Sequence, residues 1–269
     1  MIYALIVVYN KKCKNSSSIQ DIIKYAPDIN IIVYDNSKLD YGNKEFCIKN
    51  NIIYFTQNKN VGISKAYNYV IQNTSLNKND YLVMLDDDTH LNKDYFIEMK
   101  NIVKKENFDV ILPIVIANNK ILSPYNFYMG CRSKMISERK NININKVSGI
   151  NSGMIIKRSI FDKIKYNEKL FLDYVDYDFM RQVHNVSGRI YIMKSSIDQD
   201  FQYFNYKKTN INSALFRFEI DMHDYKVLCK ETKMKHFFYI HALKFGLKQT
   251  INYKSFKFIS LFFKNIINS

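Results

Sequence analysis

The sequence has no tryptophan, no closely spaced pair of cysteines, no long apolar run and few acids for its number of bases. The missing tryptophan goes with an excess of Asn, Lys and Ile, a compositional bias that carries no functional information. Cys13, Cys47, Cys131 and Cys229 stand far apart, with no CxxC and no Cys/His pair at zinc-ligand spacing. That excludes a zinc ribbon or a dense disulfide framework and implies a reduced, cytosolic chain. No segment approaches the roughly 20 apolar residues of a membrane span. Met1 leads straight into Tyr3–Tyr9 without the basic start and longer apolar core of a secretion signal. The protein is therefore expected on the cytosolic face of whichever membrane it serves. Acids are outnumbered 25 to 40, a net charge of +15, which brings nucleic acid, anionic lipid and phosphorylated substrates into view as partners. No nucleic-acid-binding module is recognisable, and the charge gathers in one terminal region instead of tracking a groove, so nucleic acid is not an expected partner.

What is present is ample core material. Hydrophobic residues make up 47% and aromatics 15% of 269 residues, enough for one large α/β domain with or without a helical appendage. Ala4–Tyr9 is a continuous β-prone run of the kind buried on both faces, and Ile29–Tyr34, Ile52–Thr56, Tyr81–Leu85 and Val110–Val115 repeat the pattern. Between them, Ser17–Tyr25, Gly62–Asn73 and Lys93–Glu106 have helical spacing, the first capped by serines and stopped by Pro27. Strand–helix alternation predicts a mostly parallel, doubly wound sheet, in which ligands bind beyond the carboxyl ends of the strands. Asn10, Asp35 and Asp86-Asp87-Asp88 all follow predicted strand ends.

Three acids at the end of a buried strand repel one another unless a cation neutralises them, and hard carboxylate oxygens suit Mg²⁺ or Mn²⁺. The alternative is an Asp-rich turn in which Asp88 or Thr89 caps the next helix. The middle of the chain is less regular. Ser148–Gly153 reads as a turn into the apolar run Met154–Ile156, and Leu170–Arg181 is an acidic, aromatic cluster opening a helix. Within that cluster Asp173, Asp176 and Asp178 are candidate general bases or helix caps, and Arg181 is placed to meet a diphosphate or one of those aspartates.

Four segments in this order resemble the family 2 inverting glycosyltransferases of the GT-A fold: Val7-Val8-Tyr9-Asn10, Val33–Ser37, Asn60–Asn68 and Leu85–Thr89. The resemblance runs from Tyr3 to about Ser196. It implies an enzyme moving sugar from a UDP- or dTDP-linked donor to a glycan or polyprenyl-linked acceptor, in capsule or lipopolysaccharide synthesis. It also implies a donor site of Val8, Tyr9, Asn10, Asp35, Asn60, Gly62, Lys65, Asn68, Asp86, Asp87 and Arg181, with Asp88 and Asp86 holding Mn²⁺ or Mg²⁺. Asp176 is the favoured base, then Asp173 and Asp178, because Phe171–Asp176 resembles the motif of rhamnosyltransferase-like members, where an aromatic-rich strand leads into D-x-x-D. Ser152 and Gly153 match the turn beneath the family's acceptor site. One departure is the histidine that often follows the strand near Ile190–Ser196. Here Ile197-Asp198-Gln199-Asp200 stands instead, which leaves a non-catalytic nucleotide-binding relative as the alternative.

The expected organisation is a catalytic domain over 1–205, its nucleotide-sugar half ending near 115 and its acceptor half following, and a helical extension over 206–269. Residues 226–269 hold nine lysines against one acid, with large aromatics and aliphatics between them. That pattern suits a helix lying on a membrane surface, or else a helical subdomain or subunit contact.

Overall fold

A computed structural model describes residues 1–128, 130–199 and 210–267, so Asp200 and the expected boundary near 205 lie outside the described residues. The first half alternates as the apolar runs dictate. β1 (Ile2–Val8), α1 (Ser17–Tyr25), β2 (Asn30–Asp35), α2 (Asn43–Lys49), β3 (Ile53–Thr56), α3 (Ile63–Asn73), β4 (Tyr81–Asp86), β5 (Thr89–His90), α4 (Lys93–Lys105) and β6 (Val110–Ala117) follow in turn. Ser16 caps α1 by accepting from the Ile19 amide, and Asn92 caps α4 by accepting from the Tyr95 amide.

The second half adds β7 (Lys120–Ser123), β8 (Tyr125–Tyr128), β9 (Arg132–Lys134), β10 (Val147–Ser148), β11 (Met154–Lys157), α5 (Val175–Asn185) and β12 (Ile190–Gln199). The main sheet runs β3-β2-β1-β4-β11-β6-β12-β5, with β7 on β6, and β10-β8-β9 form a small second sheet. β3, β2, β1 and β4 pair in parallel, whereas β11 runs antiparallel between β4 and β6. The result is the mixed, doubly wound sheet expected of a GT-A fold. One apolar core fills each face of the sheet. All four cysteines are free and buried.

Three helices complete the described chain: α6 (Ile211–Glu231), α7 (Lys235–Tyr253) and α8 (Lys257–Ile267). Their inner faces form a third core, in which Phe218, Met222, Leu228, Phe238 and Phe258 pack with Tyr125, Cys131 and Tyr177 of the sheet-bearing part. None of the described helices is long and apolar enough to cross a membrane. One local expectation fails. Residues 166–174 form turns and bends, so no strand precedes Asp173, because this segment is held by side chains from other elements and not by a ladder.

Candidate functional site

The parallel register sets the donor side of the site. Val8 lies beside Asp35, and Val7 beside Asp86, so the ends of β1, β2 and β4 meet along one edge. Val8 itself is fully buried and its carbonyl accepts from the Asn36 amide, so its side chain belongs to the core and is not available to a donor. Tyr9, 49% exposed, and Asn10 follow it into solvent. Asn10 takes a positive φ of 51°, and its amide donates to Ser37 Oγ at 2.8 Å.

Asp35 is buried, and its carboxylate accepts from Asn43 Nδ2 at 2.7 Å, Tyr54 Oη at 3.2 Å and the Ser37 amide at 3.0 Å. These bonds fix the carboxylate at the strand end and leave it little spare acceptor capacity. Asn36 and Asn60 join their loops: Asn36 Nδ2 donates to Asn60 Oδ1 at 2.9 Å, and the Val61 amide donates to Asn36 Oδ1. Gly62, at φ +84°, lies against Phe171, where an added Cβ would come within 2.7 Å of the Phe171 carbonyl oxygen. Only glycine fits there.

Asn68 does not fit the expected donor role. It is buried, and its amide holds the segment 166–168, donating to the Tyr166 carbonyl and Glu168 and accepting from the Tyr166 amide. With both ends of the amide engaged, its function is to pin that segment to α3.

The acid triplet continues β4. Asp86 is half-buried and accepts from Ser152 Oγ at 2.6 Å, Asp87 pairs with Lys11 at 3.2 Å, and Asp88 accepts from Gln199 Nε2 at 2.9 Å. Burial pushes the Asp86 pKa up to about 6, and repulsion from Asp88 and Asp87 adds to it despite the Ser152 bond. Asp87 is raised too, by burial, against the pull of Lys11. The triplet is therefore short of positive charge, which is the electrostatic condition a bound cation relieves. Among the described residues no three His, Cys, Asp or Glu side chains gather to hold a metal. Asp88 and Asp86 are the residues that would hold a Mn²⁺ or Mg²⁺ ion here, since hard cations take carboxylate oxygens.

Ser152 and Gly153, expected beneath an acceptor, lie beside the end of β4. Ser152 is buried and its hydroxyl is spent on Asp86. Gly153 joins β4 through its amide to the Met84 carbonyl at 2.8 Å, and its own carbonyl accepts from Tyr95 Oη. An added Cβ at Gly153 would meet Ile197 at 2.6 Å, which gives this glycine a packing role.

The three later aspartates are separated by their partners. Asp178 is 1% exposed and accepts from Arg181 through Nε at 3.0 Å and Nη2 at 2.7 Å, and from Gln182 at 3.0 Å. Arg181, Asp178 and Lys65 line a separate cleft of about 600 Å³ that includes none of Asp86, Asp87, Asp88, Asp173 or Asp176. Asp178 as base and Arg181 as a diphosphate ligand are thus set aside by a mutual ion pair. Asp173 is held by Arg217 of α6 at 2.6 Å, and burial still pushes its pKa up to about 6. Asp176, half-buried in the first turn of α5, accepts among the described residues from the adjoining Tyr177 amide at 2.7 Å alone. Burial pushes its pKa up to about 7, with further repulsion from Asp86 and Asp173. The two acidic groups therefore feel each other across one site. Tyr67 of α3 is buried in the field of both Asp86 and Asp176, and its hydroxyl has no hydrogen-bond partner among the described residues.

Sequence reasoning missed Lys11, Asn36, Asn43, Tyr67 and the α6 residues Arg217, Asp221 and Asp224. The α6 group had a visible signal. Arg217, Asp221 and Asp224 interleave with Phe218, Met222, Tyr225 and Leu228 on one helical face, and charges on a core-facing stripe require partners.

The fold matches those of solved structures. No curated protein sequence matches the chain. Among solved structures, S. aureus TarS 1-349 superposes with a TM-score of 0.55 at 15% identity, covering 92% of this chain and 75% of that one. The same protein in complex with UDP-GlcNAc gives 0.54 at 12% identity, covering 98% and 81%. Glucosyl-3-phosphoglycerate synthase from Mycobacterium tuberculosis, in complex with Mn²⁺, UDP and phosphoglyceric acid, gives 0.55 at 10% identity, covering 86% and 78%. At such identities these likenesses speak to the fold alone. The sequence itself goes further, since residues 3–165, more than half the chain, match the family profile described as Glycosyl transferase family 2, and the chain belongs to that family.

Proposed function

We propose that the protein is an inverting, metal-dependent glycosyltransferase that moves a sugar from a UDP- or dTDP-linked donor to a hydroxyl of a glycan or polyprenyl-linked acceptor. The observation that carries this reading is Asp176: of the three aspartates in its cluster it alone is not taken by an arginine, and its pKa of about 7 suits a base working near neutral pH. In the reaction, Asp176 takes the acceptor hydroxyl proton as that oxygen bonds to the anomeric carbon. The bond from that carbon to the β-phosphate oxygen breaks on the opposite face, and its electron pair leaves with the nucleoside diphosphate. Asp88 and Asp86 are the residues that would hold Mn²⁺ or Mg²⁺, which would supply positive charge to neutralise the departing diphosphate. Ser152, Lys11 and Gln199 orient the triplet, Tyr9 and Asn10 face the nucleoside, and Asp35 anchors the loop beside them. The like-folded structures bound to UDP, UDP-GlcNAc and Mn²⁺ support the choice of nucleotide and metal.

A role in bacterial capsule or lipopolysaccharide synthesis, at the inner face of the membrane, completes the reading. It is supported by α7, where Ile240, Leu243, Leu247 and Ile251 are exposed along one face, with Phe256 exposed just beyond. Lys244, Lys248, Lys254 and Lys257 accompany them, and residues 232–267 contain no acid. Such a face suits an anionic leaflet, where polyprenyl-linked acceptors reside.

The test is donor hydrolysis and transfer with UDP-, dTDP- and GDP-sugars, rhamnose donors included, in Mn²⁺, Mg²⁺ or EDTA. Nucleotide release from one donor, lost with EDTA and in Asp88→Ala, is the expected result. No release together with no metal-dependent nucleotide binding sinks the reading.

A further inference from the structure

We infer that α6 is part of the catalytic apparatus: Arg217, Asp221 and Asp224 are positioning residues that set the segment 171–174, which carries Asp173 and leads into the first turn of α5, where Asp176 stands. The inference rests on the proposed function, in which Asp176 is the base and Asp173 its neighbour.

The segment 171–174 has no ladder of its own, so its backbone and side chains need outside partners. α6 supplies them. Asp224, wholly buried, accepts from three consecutive amides, those of Phe171 at 2.9 Å, Leu172 at 2.8 Å and Asp173 at 2.8 Å. Three adjacent N–H groups converging on one carboxylate make a cradle whose shape depends on that charge. One helical turn away, Asp221 accepts from Tyr174 Oη at 3.1 Å and pairs with His241 of α7 at 2.8 Å. A further turn along, Arg217 donates to Asp173 at 2.6 Å. Residues spaced 217, 221 and 224 lie on one face of a helix, so a single rigid element grips every residue from 171 to 174.

The grip has a direction. Tyr174 sits at φ +61°, a left-handed conformation that a non-glycine residue holds only when its surroundings impose it, and it is the N-cap of α5. Asp176 is the second residue of that helix, so the angle at Tyr174 aims it. On its other side the segment meets the donor half, since the Phe171 carbonyl accepts from the Ile63 amide at 2.7 Å, at the start of α3. The clamp thus fixes the acceptor-side acids relative to the donor loop, where a displacement of about 1 Å can cost on the order of 100-fold in rate.

The experiment compares wild type with Arg217→Met, Arg217→Lys, Asp224→Asn and Asp173→Asn, and with the Arg217→Met/Asp173→Asn double variant. Each is assayed well below its melting temperature, with kcat, donor KM, nucleotide affinity and amide hydrogen exchange over 171–174 recorded. Positioning predicts a kcat loss of at least about tenfold in Arg217→Met and Asp224→Asn, with donor KM and nucleotide affinity within about twofold. It also predicts partial rescue in Arg217→Lys, and losses in the double variant that fail to add because Arg217 acts through Asp173. Unchanged kcat in folded variants, or an equal loss of nucleotide binding, overturns the inference. Exchange at 171–173 should quicken in Asp224→Asn whether or not a donor has been found, and unchanged exchange overturns the clamp by itself. A wild type that turns over no donor while this exchange quickens counts against the proposed function and leaves the clamp standing.

Discussion

Two groups of three aspartates flank the site or its border, and they are built in opposite ways. Asp86, Asp87 and Asp88 are consecutive, share one lysine and otherwise have neutral partners, so the group keeps a surplus of negative charge. Asp173, Asp176 and Asp178 are spread over a turn, and arginines neutralise the outer two while the middle one is left alone. In the proposed reaction the same residue type serves as a cation site in one place and a proton acceptor in the other. Partners and burial decide the role, and the sequence spelling does not.

The comparison breaks most sharply at Asp176. Asp176→Asn should lower kcat by roughly 100- to 10,000-fold, the usual worth of a general base. Because burial opposes the charged form, the neutral variant should also melt higher than wild type at pH 8, which a thermal melt checks; a lower melting temperature would show that this charge is stabilising. Next in size, Asp88→Ala should abolish the Mn²⁺ dependence of nucleotide binding, whereas Asp178→Asn should leave it intact, as titration calorimetry would reveal. A pH profile then separates the groups again. Asp176 must be deprotonated to act, so kcat/KM should rise about tenfold per pH unit up to about 7 and level off above it. In Asp176→Asn that rise should vanish. Arg181→Gln should have the smallest catalytic effect, within about twofold, because Arg181 lines the other cleft. It should still cost about 1–3 kcal/mol of stability by leaving the buried Asp178 with weaker partners, measurable by urea unfolding. A large loss of kcat there would return Arg181 to the donor site.

The donor side of this architecture was legible because its signals are local. Buried parallel strands such as Ala4–Tyr9 and Tyr81–Leu85 write themselves as unbroken apolar runs, and the acids sit at their ends. The short helix Asn43–Lys49, which supplies Asn43 to Asp35, escaped because seven residues give too few turns for a period to show. The region from Lys120 to Ser148 escaped for another reason. Its strands are only two to four residues long, so no alternation has room to develop. Asn68 was misread because an amide that pins a segment 98 positions away looks the same in sequence as one that binds a ligand. Arg217 and Asp224 are the extreme case, since their meaning depends wholly on contacts formed after folding.

The three-amide cradle also bears on how the molecule comes into being. Asp224 lies 51 residues after Asp173, and the two meet only once α6 has packed. During synthesis the donor loops can assemble while the acceptor side still lacks its anchor. Nucleotide capture would then become available on the ribosome before transfer does, and a nascent chain would hold a sugar donor without being able to spend it.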